Sequence, residues 1–101
     1  MKKILQSPKR IKFSDCDPMG HLYNTKYIQI LLEEREDQVE AAYHFNPIDH
    51  VRKTGRGWVV AQNQISYMQS ALYNESVICQ SFIKYYNKRL MDVECTMWDY
   101  D

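Results

Sequence analysis

The fold is decided by one eleven-residue stretch, Ser14-Asp15-Cys16-Asp17-Pro18-Met19-Gly20-His21-Leu22-Tyr23-Asn24, which lies between a short alternating segment and a long helical pattern. Proline biases the residue before it, Asp17, toward extended backbone, and Gly20 can adopt a positive φ at little cost. The stretch therefore predicts a tight loop that holds a carboxylate just before a helix begins. The first N–H groups of a helix have no intrahelical acceptor and carry partial positive charge. A carboxylate facing such donors is suited to attack a polarised carbonyl group, or to activate water for that attack.

The composition is that of one ordinary globular domain. The chain has 101 residues, of which 45% are hydrophobic and 26% charged, which is enough for a single core. We therefore treat residues 1–101 as one domain. The formal net charge is zero, so no global field favours nucleic acid or an anionic membrane as a partner.

The cysteines and the apolar runs indicate a cellular compartment. Cys16, Cys79 and Cys95 are an odd number without CxxC spacing, which favours a reducing environment over a disulfide framework. The start of the sequence lacks the apolar segment of a signal peptide, and no apolar run reaches the length of a membrane span. These features predict a cytoplasmic protein without a membrane span.

Around the loop, the hydrophobic patterns predict one long helix early in the chain. A first strand is expected within Lys2 to Phe13, with Pro8 confining its pairing to the second half. A helix should begin at Asn24 or Thr25, either of which can cap it, and run to about Tyr43. Proline and glycine prevent its continuation through 44–56, where one short further turn is expected.

Strand patterns fill the rest of the chain. Alternating and β-branched residues predict strands at 58–68, 75–86 and 90–98, with a hairpin turn between the last two. The order β-α-β-β-β, with one helix followed by an antiparallel meander, indicates the α+β class. Because the chain stops directly after the last pattern, a further C-terminal strand is expected to be missing.

The loop and the start of the helix resemble a known family. The residues that carry the resemblance are Asp15, Asp17, Gly20, His21, Asn24, Tyr27, Glu34 and Arg35. Together they resemble the signature of hotdog-fold acyl-CoA thioesterases, with the 4-hydroxybenzoyl-CoA thioesterase-like branch nearest. The resemblance implies an antiparallel sheet wrapped around one long central helix. It also implies a homodimer or homotetramer with active sites at the subunit interface.

The resemblance assigns roles to residues of the loop and of the last hairpin. Asp17 matches the catalytic carboxylate, acting as nucleophile or as base for water, and the Asn24 amide N–H matches the donor that polarises the thioester carbonyl. Four residues are expected to contact the substrate: His21, Tyr27, Lys88 and Arg89, the last two at the CoA phosphates. The implied reaction is hydrolysis of an acyl-CoA or acyl carrier protein thioester without a metal or redox cofactor. The alternative is a non-catalytic hotdog module that binds the same ligands.

The acidic residues also have simpler interpretations. Asp15 and Asp17 could be turn formers only, since Asp before Pro often begins a turn. Asp15 is expected to be structural and to bond the loop amides. A calcium loop is excluded by Lys26, which stands where a bidentate Glu is needed.

The histidine and the cysteine of the loop also have simpler interpretations. His21 could be a metal ligand, but His44 and His50 lie at no metal-binding spacing. His21 could equally pack in the loop and bond the backbone. Cys16 lies beside the key acid without an evident base, so a small buried residue is the favoured interpretation.

Overall fold

The computed structural model describes residues 3–100, which form a three-stranded antiparallel sheet with a long helix against it. The elements in chain order are β1 (Leu5–Arg10), a 3-10 turn (Phe13–Asp15), α1 (Asn24–Tyr43), α2 (Pro47–Thr54), β2 (Ser76–Tyr86) and β3 (Met91–Asp99). β2 is the central strand, with β1 and β3 on either side. The predicted α+β class is confirmed.

The core lies between α1 and the sheet and includes residues of the loop. Its buried members are Ile11, Cys16, Leu22, Tyr27, Ile30, Ala71, Val77 and Cys79. Cys16 and Leu22 also form an isolated antiparallel bridge with each other. Because both ends of the loop are anchored in the core, the residues between them are held against the start of α1.

A buried polar network also joins α1 to the sheet. The Gln38 side-chain nitrogen donates to the Ser7 hydroxyl at 2.7 Å and to the Cys79 carbonyl at 3.0 Å. The Arg35 guanidinium donates to the Ser81 hydroxyl at 3.0 Å. Each of these groups has a partner, as buried polar atoms require.

The first strand differs from its prediction in extent and pairing. β1 pairs with β2 along its whole length, including Pro8 opposite Ile78. Proline lacks an N–H but is tolerated here because β1 lies at an edge of the sheet. Phe13 lies outside the strand, in the 3-10 turn. It is 63% exposed and packs edge-on against Tyr73 with ring centroids 5.7 Å apart. Lys2 lies outside the described residues.

The long helix is confirmed, but its predicted cap is wrong. The N-cap residue is Tyr23, and no side chain accepts a hydrogen bond from the first turn. Asn24 and Thr25 are already helical, so their side chains cannot serve as caps. At the other end His44 adopts a left-handed conformation, with φ 54°, which ends the helix.

The short turn predicted after α1 is instead the eight-residue helix α2. It begins after Asn46, whose side-chain oxygen accepts the N–H groups of Ile48 and Asp49 at 2.9 and 3.1 Å. Proline at the first helical position and Asn at the cap are both favoured at a helix start. Local chemistry therefore extends this element beyond one turn.

The strand predicted at 58–68 is wrong. Residues 57–70 form a segment without helix or strand, whose backbone N–H and C=O groups make no hydrogen bond within the described part of the chain. Its apolar side chains include Val59 and Met68, which are 89% and 90% exposed. A β-prone sequence becomes a strand only beside a free edge that pairs with it.

The predicted hairpin at the end of the chain is confirmed. β2 and β3 pair in antiparallel register, and the Asn87 side chain accepts the N–H groups of Arg89 and Leu90 at 2.8 and 2.7 Å. Within residues 3–100, no helix is both long and apolar enough to cross a membrane.

Candidate active site

The acidic loop closes into a tight turn between Asp17 and His21. The Asp17 N–H donates to the His21 carbonyl at 2.8 Å, and the Gly20 N–H donates to the Asp17 carbonyl at 2.9 Å. Gly20 has φ +82°, the positive value predicted from the sequence. Two backbone hydrogen bonds thus fix the position of Asp17 relative to the start of α1.

The two carboxylate oxygens of Asp17 have different surroundings. Oδ1 accepts the N–H groups of Met19 at 2.8 Å and His21 at 3.0 Å. Oδ2 lies 3.8 Å from Nδ1 of His21, which is too long for a hydrogen bond. The side chain is 32% exposed. Oδ1 is therefore occupied by the loop, while Oδ2 stays available to a bound molecule.

Asp15 plays a different part from the predicted one. Its carboxylate lies 3.8 Å from the Lys26 ammonium, and its backbone carbonyl accepts the Tyr23 N–H at 3.0 Å. The amides of Met19 and His21 are bound by the side chain of Asp17, not by that of Asp15. Asp15 thus fastens the loop to the first turn of α1, which is a structural role of another kind.

The N-terminus of α1 opens into a cavity shared with Asp17. Because α1 has no side-chain cap, the N–H groups of Asn24 and Thr25 have no acceptor among residues 3–100. The cavity has a volume of about 460 Å³ and is lined by Asp17, His21, Leu22, Tyr23, Asn24, Thr25 and Ser70. Asp17 therefore lines the same space as the two residues whose amide N–H groups have no acceptor within residues 3–100. This combination can bind a carbonyl group and attack it.

The other residues predicted at the site lie elsewhere in a single chain. Tyr27 is buried, and its hydroxyl accepts the Ala71 N–H at 2.9 Å, so it fastens α1 to the segment before β2. Lys88 and Arg89 follow the far end of β2, whereas the loop begins beside Ser76 at its near end. Ten residue steps of about 3.3 Å separate these ends by about 33 Å.

Cys16 is buried beside the site, as the sequence predicted. Burial, followed by the negative charges of Asp15 and Asp17, raises the pKa of the Cys16 thiol. The thiolate, which is the nucleophilic form, is therefore disfavoured.

Sequence reasoning missed three residues around the cavity. Thr25 and Ser70 line it, and the Tyr67 hydroxyl donates to the Asn24 carbonyl at 3.1 Å. Thr25 could have been found from its place beside Asn24. Tyr67 lies in the segment predicted as a strand and Ser70 follows it, and no local signal there pointed to the helix.

Comparison with known proteins identifies the family. A family model described as the thioesterase-like superfamily matches residues 11–101. This chain belongs to that superfamily. The match confirms the resemblance found in the loop motif, and with it the expected class of thioester hydrolase. No curated protein matches the sequence significantly.

Solved structures of other thioesterases share the fold of this superfamily member. A probable thioesterase from Bartonella henselae is 16% identical, with a TM-score of 0.86 over 98% of this chain and 82% of that one. A 1,4-dihydroxy-2-naphthoyl-CoA thioesterase from Synechocystis is 12% identical, with a TM-score of 0.84 over 98% and 72%. The 4-hydroxybenzoyl-CoA thioesterase from Pseudomonas is 19% identical, with a TM-score of 0.78 over 94% and 78%. The expected hotdog fold is confirmed.

Proposed function

We propose that this protein hydrolyses an acyl-CoA thioester to a carboxylic acid and CoA, using Asp17 as its catalytic carboxylate. One observation carries the proposal: Asp17 lines one cavity with Asn24 and Thr25, whose amide N–H groups have no acceptor within residues 3–100. Membership of the thioesterase-like superfamily supports the reaction class. The names of two solved relatives support CoA as the thiol.

The proposed reaction needs few groups because a thioester is already activated. The Asn24 N–H, at the positive end of α1, binds the carbonyl oxygen and stabilises the negative charge that develops on it. Asp17 Oδ2 either attacks the carbonyl carbon directly or removes a proton from an attacking water. The carbon–sulfur bond then breaks, and the CoA thiolate leaves and takes up a proton. On the direct route, water hydrolyses the resulting anhydride and restores Asp17.

His21 is proposed to contact the substrate. Its ring lies beside Oδ2 of Asp17 and is half exposed toward the cavity that both residues line. The ring makes no hydrogen bond within residues 3–100, so it can contact an acyl group or the pantetheine arm. Tyr27 is proposed to act only indirectly, since its hydroxyl is used by Ala71.

The protein is proposed to work as a homodimer or homotetramer. Lys88 and Arg89 lie about 33 Å along β2 from the loop of the same chain. If they bind CoA phosphates, they do so at the site of a neighbouring copy. The exposed apolar side chains of residues 57–70, and their unpaired backbone, provide a surface that a second copy can cover. The three free thiols fit a cytoplasmic location.

The deciding experiment measures thiol release from a panel of acyl-CoA and acyl carrier protein thioesters. Asp17→Asn should lower kcat by about 10²-fold or more, because it removes the attacking or basic oxygen. Asp15→Asn is the matched control, since Asp15 faces Lys26 rather than the cavity. It should stay within about tenfold of the parent, with the loop only loosened.

Circular dichroism and size-exclusion chromatography establish folding and assembly of each variant. A folded Asp17→Asn protein with parental turnover would refute the role of Asp17. A folded oligomer that binds acyl-CoA without turnover would favour the non-catalytic binding module instead.

A further inference from the structure

Tyr67 makes a hydrogen bond to the first residue of α1. Its hydroxyl donates to the Asn24 carbonyl at 3.1 Å, although the two residues are 43 positions apart. The Tyr67 ring packs edge-on against Tyr27, with centroids 5.4 Å apart and an interplanar angle of 74°. Tyr27 is in turn fixed by the Ala71 N–H at 2.9 Å. The hydroxyl is thus aimed at the helix start by a ring that is itself held in place.

The bonded carbonyl belongs to the same peptide group as the Thr25 N–H. In an α-helix the Asn24 carbonyl also accepts the N–H four residues on, and its second lone pair is open to Tyr67. A hydrogen bond accepted by a carbonyl polarises its peptide group and strengthens the donor at the other end. The Thr25 N–H has no acceptor within residues 3–100, and Thr25 lines the cavity that holds Asp17.

We propose that Tyr67 is a positioning residue that polarises the Asn24–Thr25 peptide, so that the Thr25 N–H becomes a second donor to the thioester oxygen. This inference rests on the proposed thioesterase function and adds a donor to it. The negative charge on the oxygen in the transition state would be shared between the Asn24 and Thr25 amides. Tyr67 itself does not touch the substrate and acts through the peptide that it polarises.

A purely structural role for Tyr67 would give different kinetic effects when the hydroxyl is removed. If the hydroxyl only fastened residues 57–70 to α1, its removal would change stability or substrate affinity and leave kcat unaltered. If the hydroxyl polarises the peptide, its removal changes kcat, because the oxygen carries most charge in the transition state.

The test is Tyr67→Phe, which keeps the ring and removes the hydroxyl. Losing an oxyanion donor costs about 10²–10³-fold in kcat, and one hydrogen bond strengthens its neighbour by about 10–30%. We therefore expect kcat to fall about two- to eightfold with KM unchanged. Tyr73→Phe is the matched control, since Tyr73 is half exposed, packs on Phe13 and makes no hydrogen bond to α1 in the described structure.

Amide spectroscopy gives a second readout that needs no substrate. In ¹H–¹⁵N spectra the Thr25 proton of Tyr67→Phe should move upfield, and the Asn24 proton should move less. An unchanged kcat, a change in KM alone, or an unmoved Thr25 proton would overturn the inference. A parent protein without turnover would refute the proposed function, whereas the Thr25 shift would still decide whether Tyr67 polarises this peptide.

Discussion

The Ser81 hydroxyl donates a 2.6 Å hydrogen bond to the side-chain oxygen of Gln38 inside the interface between α1 and β2. Both residues are buried, and the nitrogen of the same Gln38 amide donates to the Cys79 carbonyl. One side chain therefore satisfies a hydroxyl and a backbone carbonyl that have no access to water. The long helix is fixed on the sheet by polar geometry as well as by apolar packing.

Replacing Gln38 should destabilise the fold strongly. Gln38→Ala removes the acceptor of the buried Ser81 hydroxyl proton and a donor to the buried Cys79 carbonyl, so we expect the free energy of unfolding to fall by about 2–4 kcal/mol. Urea unfolding followed by circular dichroism measures this change. Gln29→Ala is the control, because Gln29 is exposed and bonds only Glu33, one turn away. It should cost about 0.5 kcal/mol or less, and equal losses in the two variants would contradict the prediction.

The turn glycine should matter for activity as well as for stability. Gly20 and Gly55 have φ values of +82° and +72°, and neither would bring an added Cβ closer than 3.8 Å to another residue. Alanine at either position should cost about 1–2 kcal/mol through backbone strain alone. Only Gly20→Ala should also lower kcat, because its turn positions the Asp17 carboxylate. Hydrolysis assays and thermal unfolding of both variants test this, and a loss of activity in Gly55→Ala alone would be the opposite result.

The buried Cys79 thiol predicts how stability changes with pH. Burial, with the charge of Glu34, raises the pKa of Cys79 from 9.0 to about 12. Between these pH values the unfolded chain has released the proton and the folded chain has not, so the free energy of unfolding falls as pH rises. Below pH 9 the thiol is protonated in both states and contributes no pH dependence.

A comparison with Cys79→Ala isolates that contribution. At pH 7 the variant should be less stable than the parent, since it loses a buried sulfur. The difference in free energy of unfolding between parent and variant should shrink as pH rises above 9. Only the parent has the Cys79 thiol, so only the parent loses stability when the unfolded chain releases that proton. Urea unfolding at several pH values measures it, and a constant difference up to pH 11 would show that Cys79 keeps its ordinary pKa.

The hairpin cations should affect substrate affinity. The double variant Lys88→Ala and Arg89→Ala should raise KM for acyl-CoA several-fold and leave kcat nearly unchanged, because the phosphates lie far from the reacting carbon. The effect should weaken as salt is added. Lys53→Ala, which removes an exposed charge in the last turn of α2, is the control. Equal KM values in the parent and the double variant would exclude a phosphate contact.

Mixing variants tests whether the contact crosses between copies. Asp17→Asn lacks the carboxylate, and the double hairpin variant lacks the cations. If one copy supplies the carboxylate and its neighbour the cations, mixed oligomers contain a site with both. Activity at low acyl-CoA should then exceed the sum of the two separate proteins. Activity equal to that sum would mean either that one chain supplies both groups to a site or that the cations do not contact the substrate.

Much of the fold could be predicted from the sequence because its signals are local. Apolar spacing marked α1, and Asn87 marked the hairpin between β2 and β3. The strand at 58–68 failed because pairing depends on a neighbouring edge, which no property of the segment itself reveals. The helix cap failed for a related reason: Asn24 and Thr25 suit a cap chemically, but the chain enters the helix one residue earlier, at Tyr23.

The main residues of the site could be predicted from the sequence, but the contacts between them could not. Spacing and residue type singled out Asp17 and Gly20. Which of two neighbouring carboxylates points into the loop depends on side-chain direction, so Asp17 rather than Asp15 accepts the loop amides. That β2, about 33 Å long, separates Lys88 from the loop followed only from the register of the strands. Likewise, Tyr67 bonds to α1 although it lies 43 positions from Asn24.

The segment 57–70 also separates the chain into two parts that pair and pack with each other. A cut after Arg56 would leave β1, the loop and both helices on one fragment, and the hairpin of β2 and β3 on the other. β1 pairs with β2 across this division, and Tyr27 binds Ala71. No backbone hydrogen bond of the segment would be lost. Cleavage of the chain by trypsin at this point should therefore yield a non-covalent complex of the two fragments. The two fragments, produced separately, should reassociate into the same fold.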